Sequence, residues 1–151
     1  MRGLDERTIA RWRLHSQGLE RPSAADDTEA VRRLLGVQAE NHDQAMWAVA
    51  TRTAAPDRAR FERLFAEGAI LRTHVLRSTW HFVTADDIGW LLELTEPRIR
   101  PQYRLAQAEE GLTDADVDRA RQVIAGALSG GVHLTRDQVG ERLAAEGLDA
   151  S

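Results

Sequence analysis

The residue types and spacing most suited to chemistry in this sequence belong to Gln38 and Glu40. A glutamine amide both donates and accepts hydrogen bonds, so it can fix the orientation of a water molecule. A carboxylate beside it can take that water's proton or stabilise positive charge electrostatically. Side chains two residues apart share a face on an extended strand but point to nearly opposite sides of a helix. The pair can therefore act together only if residues 37–40 are extended, with Val37 and Ala39 turned inward. The same pattern also describes the polar outer edge of a small strand, and residue types alone leave both readings open.

Other chemistries find less support. The absence of cysteine excludes disulfides and thiolate-bound zinc. A two-residue turn at Arg77-Ser78 would set His74 opposite His81, but two histidines without a third ligand make a poor zinc site. No metal and no cofactor is expected. His81 and Thr79 share one face of a strand, with Trp80 and Phe82 on the other. This suits His81 to supporting a hairpin by hydrogen bonding or to contacting a phosphate. Trp12, Trp47, Trp80 and Trp90 read as chiefly core residues by their spacing, with stacking on an extruded base as the alternative. The sequence holds no glycine-rich phosphate loop and no nucleophile elbow.

The elements that must position these residues follow from pattern and punctuation. Residues 5–17 read as a leading helix, closed by Gly18 and Pro22. A second helix spans about 27–35, with Val31, Leu34 and Leu35 at core spacing and Gly36 ending it. Residues 37–40 form a short strand, and 41–43 a turn into a helix over about 44–52. A further helix carries Phe61, Leu64 and Phe65 up to Gly68. Residues 69–83 are rich in β-branched and aromatic residues and contain neither proline nor glycine, which predicts a hairpin turning near Arg77-Ser78. Thr84 and Asp87 then start a helix holding Ile88, Leu91 and Leu92.

From residue 27 the order is helix, short strand, helix, helix, strand, turn, strand. That is the winged helix-turn-helix order, mainly α with small β-hairpins (α+β). In such folds the last of the three helices faces DNA, and here it carries Arg58, Arg60 and Arg63, while the hairpin adds Arg72 and Arg77. An ordinary solvated arginine face, balanced by Glu62 and Glu67, is the competing reading. Residues 1–26 form a leading helix and loop, 27–95 the first winged helix, and 96–112 a connector containing Pro97 and Pro101. In 113–151, capping sequences at Thr113 and Thr135 flank a candidate strand, Val132-His133-Leu134. This predicts the first half of a second, tandem winged helix, cut off before its third helix.

Charge neither makes nor breaks a DNA-binding case. The net charge is −4, and all 20 basic residues are arginine. Residues 1–104 carry 16 arginines against 15 acids, whereas 105–151 carry 4 against 9, so any DNA face is a local patch in the first two-thirds. The longest apolar run, residues 45–50, is far too short to span a bilayer, and a charged start argues against a signal peptide. A cytoplasmic protein is the default expectation.

Several segments in order carry a family resemblance. Residues 14–19 (LHSQGL), 31–40 (VRRLLGVQAE), 45–52 (AMWAVATR) and 76–83 (LRSTWHFV), the last followed by Ala85-Asp86-Asp87, resemble the winged-helix family of AlkZ-type DNA glycosylases. The hairpin looks like that family's Arg-Gly-Thr-x-His segment, with Ser78 where glycine is frequent. The resemblance implies a tandem winged-helix protein, longer than this chain, that hydrolyses the N-glycosidic bond of alkylated bases, crosslinked ones included. Its partner is then double-stranded DNA. The family's catalytic pattern, glutamine then any residue then glutamine or aspartate, falls on Gln38 and Glu40, with glutamate as a departure. Two other readings stand beside it: a non-catalytic winged-helix DNA-binding protein such as a transcription regulator, and a truncated, inactive paralogue.

Overall fold

A computed structural model describes residues 5–76 and 79–148. Among them the chain forms seven α-helices and one three-stranded antiparallel sheet, an α+β architecture. It divides into two compact units, residues 1–99 and 100–151.

In the first unit α1 (Glu6–Ser16) is capped by Asp5, whose side chain accepts from the Thr8 N–H. It ends where Gly18 takes φ 68°, letting Gly18 donate to the His15 carbonyl and Leu19 to that of Leu14. Helix α2 (Asp27–Leu34) follows, and Leu35 rather than Gly36 is the left-handed residue that stops it, with φ 61°. The chain then extends into β1 (Val37–Gln38). Helix α3 (His42–Ala50) starts two residues earlier than its pattern predicts, because Asn41 is itself the cap and accepts from the Gln44 N–H. Helix α4 (Arg58–Ala66) is capped by Asp57. Gly68, at φ 76°, turns it directly into β2 (Ile70–Val75). Strand β3 (Thr79–Thr84) returns antiparallel and leads into α5 (Ala85–Glu109).

The strands lie in the order β1-β3-β2, so the short strand from between the first helices pairs with the returning arm of the hairpin. Alternation along β3 supplies two cores. Phe82 packs with Ile70, Val37, Ala39, Val31, Met46, Val49 and Phe61 beneath the helices. Val83 and Val75 pack with Leu91 of α5 on the other side. The His42 ring stands nearly perpendicular to those of Phe61, Phe65 and Phe82, at 6.3, 5.4 and 5.3 Å between centroids.

Three expectations change here. Val75 pairs with Thr79, leaving three residues between the arms, and His74 lies opposite Trp80 while Thr73 lies opposite His81. Arg77 and Ser78, where the sequence predicts the turn, lie outside the described residues. Residues 96–109 are helical, since α5 runs through Pro97 and Pro101. Both prolines are exposed, and the carbonyls four residues before them, which lose their helical donors, can be served by water. In the second unit α6 (Asp114–Ala127) and α7 (Arg136–Ala145) each begin with a complete capping box, on Thr113 and Thr135. Val132-His133-Leu134 is not a strand, because the described residues of this unit offer it no strand to pair with.

The tryptophans also depart from their spacing. Trp12, Trp47 and Trp90 are exposed, and Trp80 is half-buried. Their helices bury other faces: α3 uses Ala45, Met46 and Val49, α5 uses Leu91, and α1 buries nothing.

Candidate functional site

Strand β1 covers only Val37 and Gln38 and the chain bends at Glu40, so the extended geometry expected of residues 37–40 stops short of Glu40. Val37 and Ala39 are buried and Gln38 and Glu40 exposed, the alternation of a strand edge. Pairing runs Val37 to Phe82 and Gln38 to His81, and the Ala39 N–H donates to the Trp80 carbonyl at 2.7 Å. Glu40 bends its carboxylate back to the hairpin, where Oε1 accepts from the Trp80 N–H at 3.1 Å. The peptide groups flanking Trp80 are thus bonded on both sides by the Ala39-Glu40 segment. The adjoining Leu35, held at positive φ, marks local strain beside the site.

Register places Gln38 and His81 side by side, with Thr73 next across β2. His81 is 9% exposed, and its Nδ1 lies 2.8 Å from the Thr79 carbonyl. A carbonyl can only accept, so Nδ1 is the donor in this bond. Burial sets this imidazole behind the surface, where a phosphate would reach it poorly.

The arginines divide into engaged and available groups. Arg60 donates from Nε to Asp27 at 2.8 Å and from Nη2 to the Ala55 carbonyl. Asp27 is 1% exposed, so Arg60 serves as its counter-ion, a role that ties α4 to the start of α2 and takes it from the expected DNA face. The hydrogen bond to Asp27 raises the Arg60 pKa. Arg58 is exposed and pairs with Glu62 at 2.7 Å and, more loosely, with Asp43, and the Glu62 hydrogen bond raises its pKa. Such solvated pairs are weak and exchange readily for other anions. Arg63 is exposed and makes no side-chain hydrogen bond or ion pair among the described residues. Arg77 lies outside the described residues.

Arg72 reaches inward. Its guanidinium sits 4.2 Å above the Trp80 ring, Nε donates to the Ala39 carbonyl at 2.9 Å, and Nη2 donates to the Glu40 carbonyl at 3.2 Å. His74 packs on the same indole, 3.9 Å between centroids. Spacing could not reveal this cluster, since Arg72 and Ala39 are 33 positions apart. An open cleft of about 380 Å³ between α3 and α4 is lined by Met46, Trp47, Pro56, Arg58 and Phe61. Gln38 and Glu40 do not line it, and they stand on an open edge. Among the described residues no group of three or more His, Asp and Glu side chains is placed to hold a metal, and no helix is long and apolar enough to cross a membrane.

The family described as DNA glycosylase AlkZ-like matches residues 31–151. An interstrand DNA cross-link repair glycosylase from Streptomyces sahachiroi is 35% identical over 143 residues, which cover 93% of this chain and 38% of that protein. The solved structure of Streptomyces sahachiroi DNA glycosylase AlkZ superposes with a TM-score of 0.76 at 34% identity, over 94% of this chain and 38% of that one. The present chain therefore spans well under half the length of these relatives. It belongs to the AlkZ-like DNA glycosylase family.

Proposed function

We propose that this chain forms the part of a DNA-repair glycosylase that holds the hydrolytic pair, Gln38 and Glu40, against duplex DNA. The observation carrying this reading is the exposure of both Gln38 and Glu40 where the chain leaves β1 beside β3, in a member of this family. An N-alkylated purine is cationic and leaves readily, so bond breaking runs ahead of attack and the sugar gains oxocarbenium character. Gln38 orients a water toward C1′. Glu40 stabilises the positive sugar and takes the proton as the water oxygen bonds to C1′. The C1′–N bond breaks with its electron pair passing to the base, which departs neutral. Glutamate in the second position keeps the charge that an aspartate would bring.

Arg58 and Arg63 of α4, together with Arg77, which lies outside the described residues, are the proposed phosphate contacts in the winged-helix manner. By analogy with the relative's described action, crosslinked bases are included among the substrates. The test is release of N7-methylguanine from alkylated duplex DNA by the protein as encoded, beside Gln38→Ala and Glu40→Ala. Release is expected to fall by at least about a hundredfold in each variant with DNA affinity unchanged. Salt-dependent binding without release from any version would instead identify a non-catalytic winged-helix DNA-binding protein.

A further inference from the structure

We infer that Arg72 is a positioning residue for Glu40, acting as a strap across the sheet rather than as a phosphate contact; the inference rests on the glycosylase reading of Glu40. Arg72 belongs to β2, and the strand between it and the 37–40 segment is β3. Its side chain crosses β3 over the Trp80 indole and ends on two consecutive carbonyls, those of Ala39 and Glu40. A planar guanidinium is suited to this task, because it can lie on an aromatic face while its edge donates to two acceptors in fixed directions. Lysine could do neither well.

The need for a strap is visible in β1. It pairs regularly with β3 at only Val37 and Gln38, and the chain bends at Glu40 to enter α3. Beyond Gln38 the segment is tied to β3 by the Ala39 N–H and by the Glu40 carboxylate itself. Both ties run to the backbone of Trp80, so holding Trp80 and the Ala39 and Glu40 carbonyls together fixes where the carboxylate stands. Arg72 touches all three. Nε and one N–H of Nη2 are committed to carbonyls and one face of the guanidinium lies against the indole, so contact with a phosphate would compete with the strap.

The test compares wild type, Arg72→Gln, Arg72→Lys and Trp80→Phe in the protein as encoded. It reads single-turnover release of N7-methylguanine, affinity for the same duplex across a salt series, and amide hydrogen exchange. Arg72→Gln is expected to slow release by about tenfold to a hundredfold, the scale of a small misplacement of a reacting group. Its DNA affinity and salt slope stay at wild-type values, and the Ala39 and Trp80 amides exchange faster while those of Val49 and Phe61 do not. Arg72→Lys recovers little of the rate despite its charge, whereas Trp80→Phe keeps most of it, because the ring platform and the backbone N–H remain. The inference is overturned if Arg72→Gln weakens binding and flattens the salt dependence with amide protection intact, or if Arg72→Lys restores full activity. Should wild type release no base, exchange alone decides. Faster exchange at Ala39 and Trp80 in Arg72→Gln would keep the strap and discard the glycosylase reading, and unchanged exchange would discard the strap as well.

Discussion

Arginine is the sole basic side chain type in this sequence apart from histidine, so each residue must be judged by what its guanidinium touches. Arg58, Arg60, Arg63 and Arg72 look alike in sequence, yet they divide into two internal counterparts and two surface groups. Arg60 neutralises a carboxylate that is almost wholly enclosed, and removing one member of such a pair leaves the other charged and unpaired. Arg60→Ala is therefore expected to lower unfolding free energy by about 3 kcal/mol, measured as a shift in denaturant midpoint. Asp27→Asn should cost less, because an amide oxygen still accepts from Arg60. A negligible effect of both substitutions would show that the pair contributes little to the first unit.

At the scale of elements, the join between β3 and α5 carries a pH dependence. Asp87 accepts from the Thr84 hydroxyl at 2.6 Å and from the Trp90 indole N–H at 2.9 Å. These bonds, Thr84's first, favour the carboxylate and hold its pKa below the ordinary value. A depressed carboxyl pKa adds stability that is fully present above the unfolded value, about 3.9, and is lost as pH falls through the folded value. Melting curves of wild type and Asp87→Asn should accordingly differ at pH 6 and converge below about pH 4. A gap independent of pH would assign the effect to packing instead. The motif was legible before the fold, since Thr84 with Asp87 three residues on resembles a capping pair. The Trp90 bond was not, because Trp90 reads by spacing as a core residue and is in fact exposed.

For the whole molecule the question is how a chain of net charge −4 would hold DNA. The acid excess lies beyond residue 104, so the proposed DNA face is a local patch on α4 and the hairpin. Removing one arginine that neutralises a phosphate reduces the slope of log affinity against log salt by about one. Arg63→Ala is expected to do this, with stability unchanged, since Arg63 is exposed and without a side-chain partner among the described residues. Arg60→Ala, compared at a temperature where both variants are folded, should leave the slope alone. A slope that responds to Arg60 and ignores Arg63 would redraw the binding face.

What the sequence determined by itself was local and periodic. Helix caps at Thr113 and Thr135, the glycine stops at Gly18 and Gly68, the β-rich hairpin and the short strand at Val37-Gln38 all follow from backbone sterics and short-range hydrogen bonding. The alternation of buried Val37 and Ala39 with exposed Gln38 and Glu40 was legible for the same reason. The tertiary structure decided whatever depends on a partner distant in sequence. It set the hairpin register that puts His74 opposite Trp80, withheld a partner strand from Val132-His133-Leu134, and left Trp12 and Trp47 exposed. It also sent Arg60 to Asp27 and Arg72 to the carbonyls behind Glu40. An arginine side chain is long enough to serve a neighbour, a distant carbonyl or a solvent-borne phosphate, and only the packed chain fixes which of these lies within hydrogen-bonding reach.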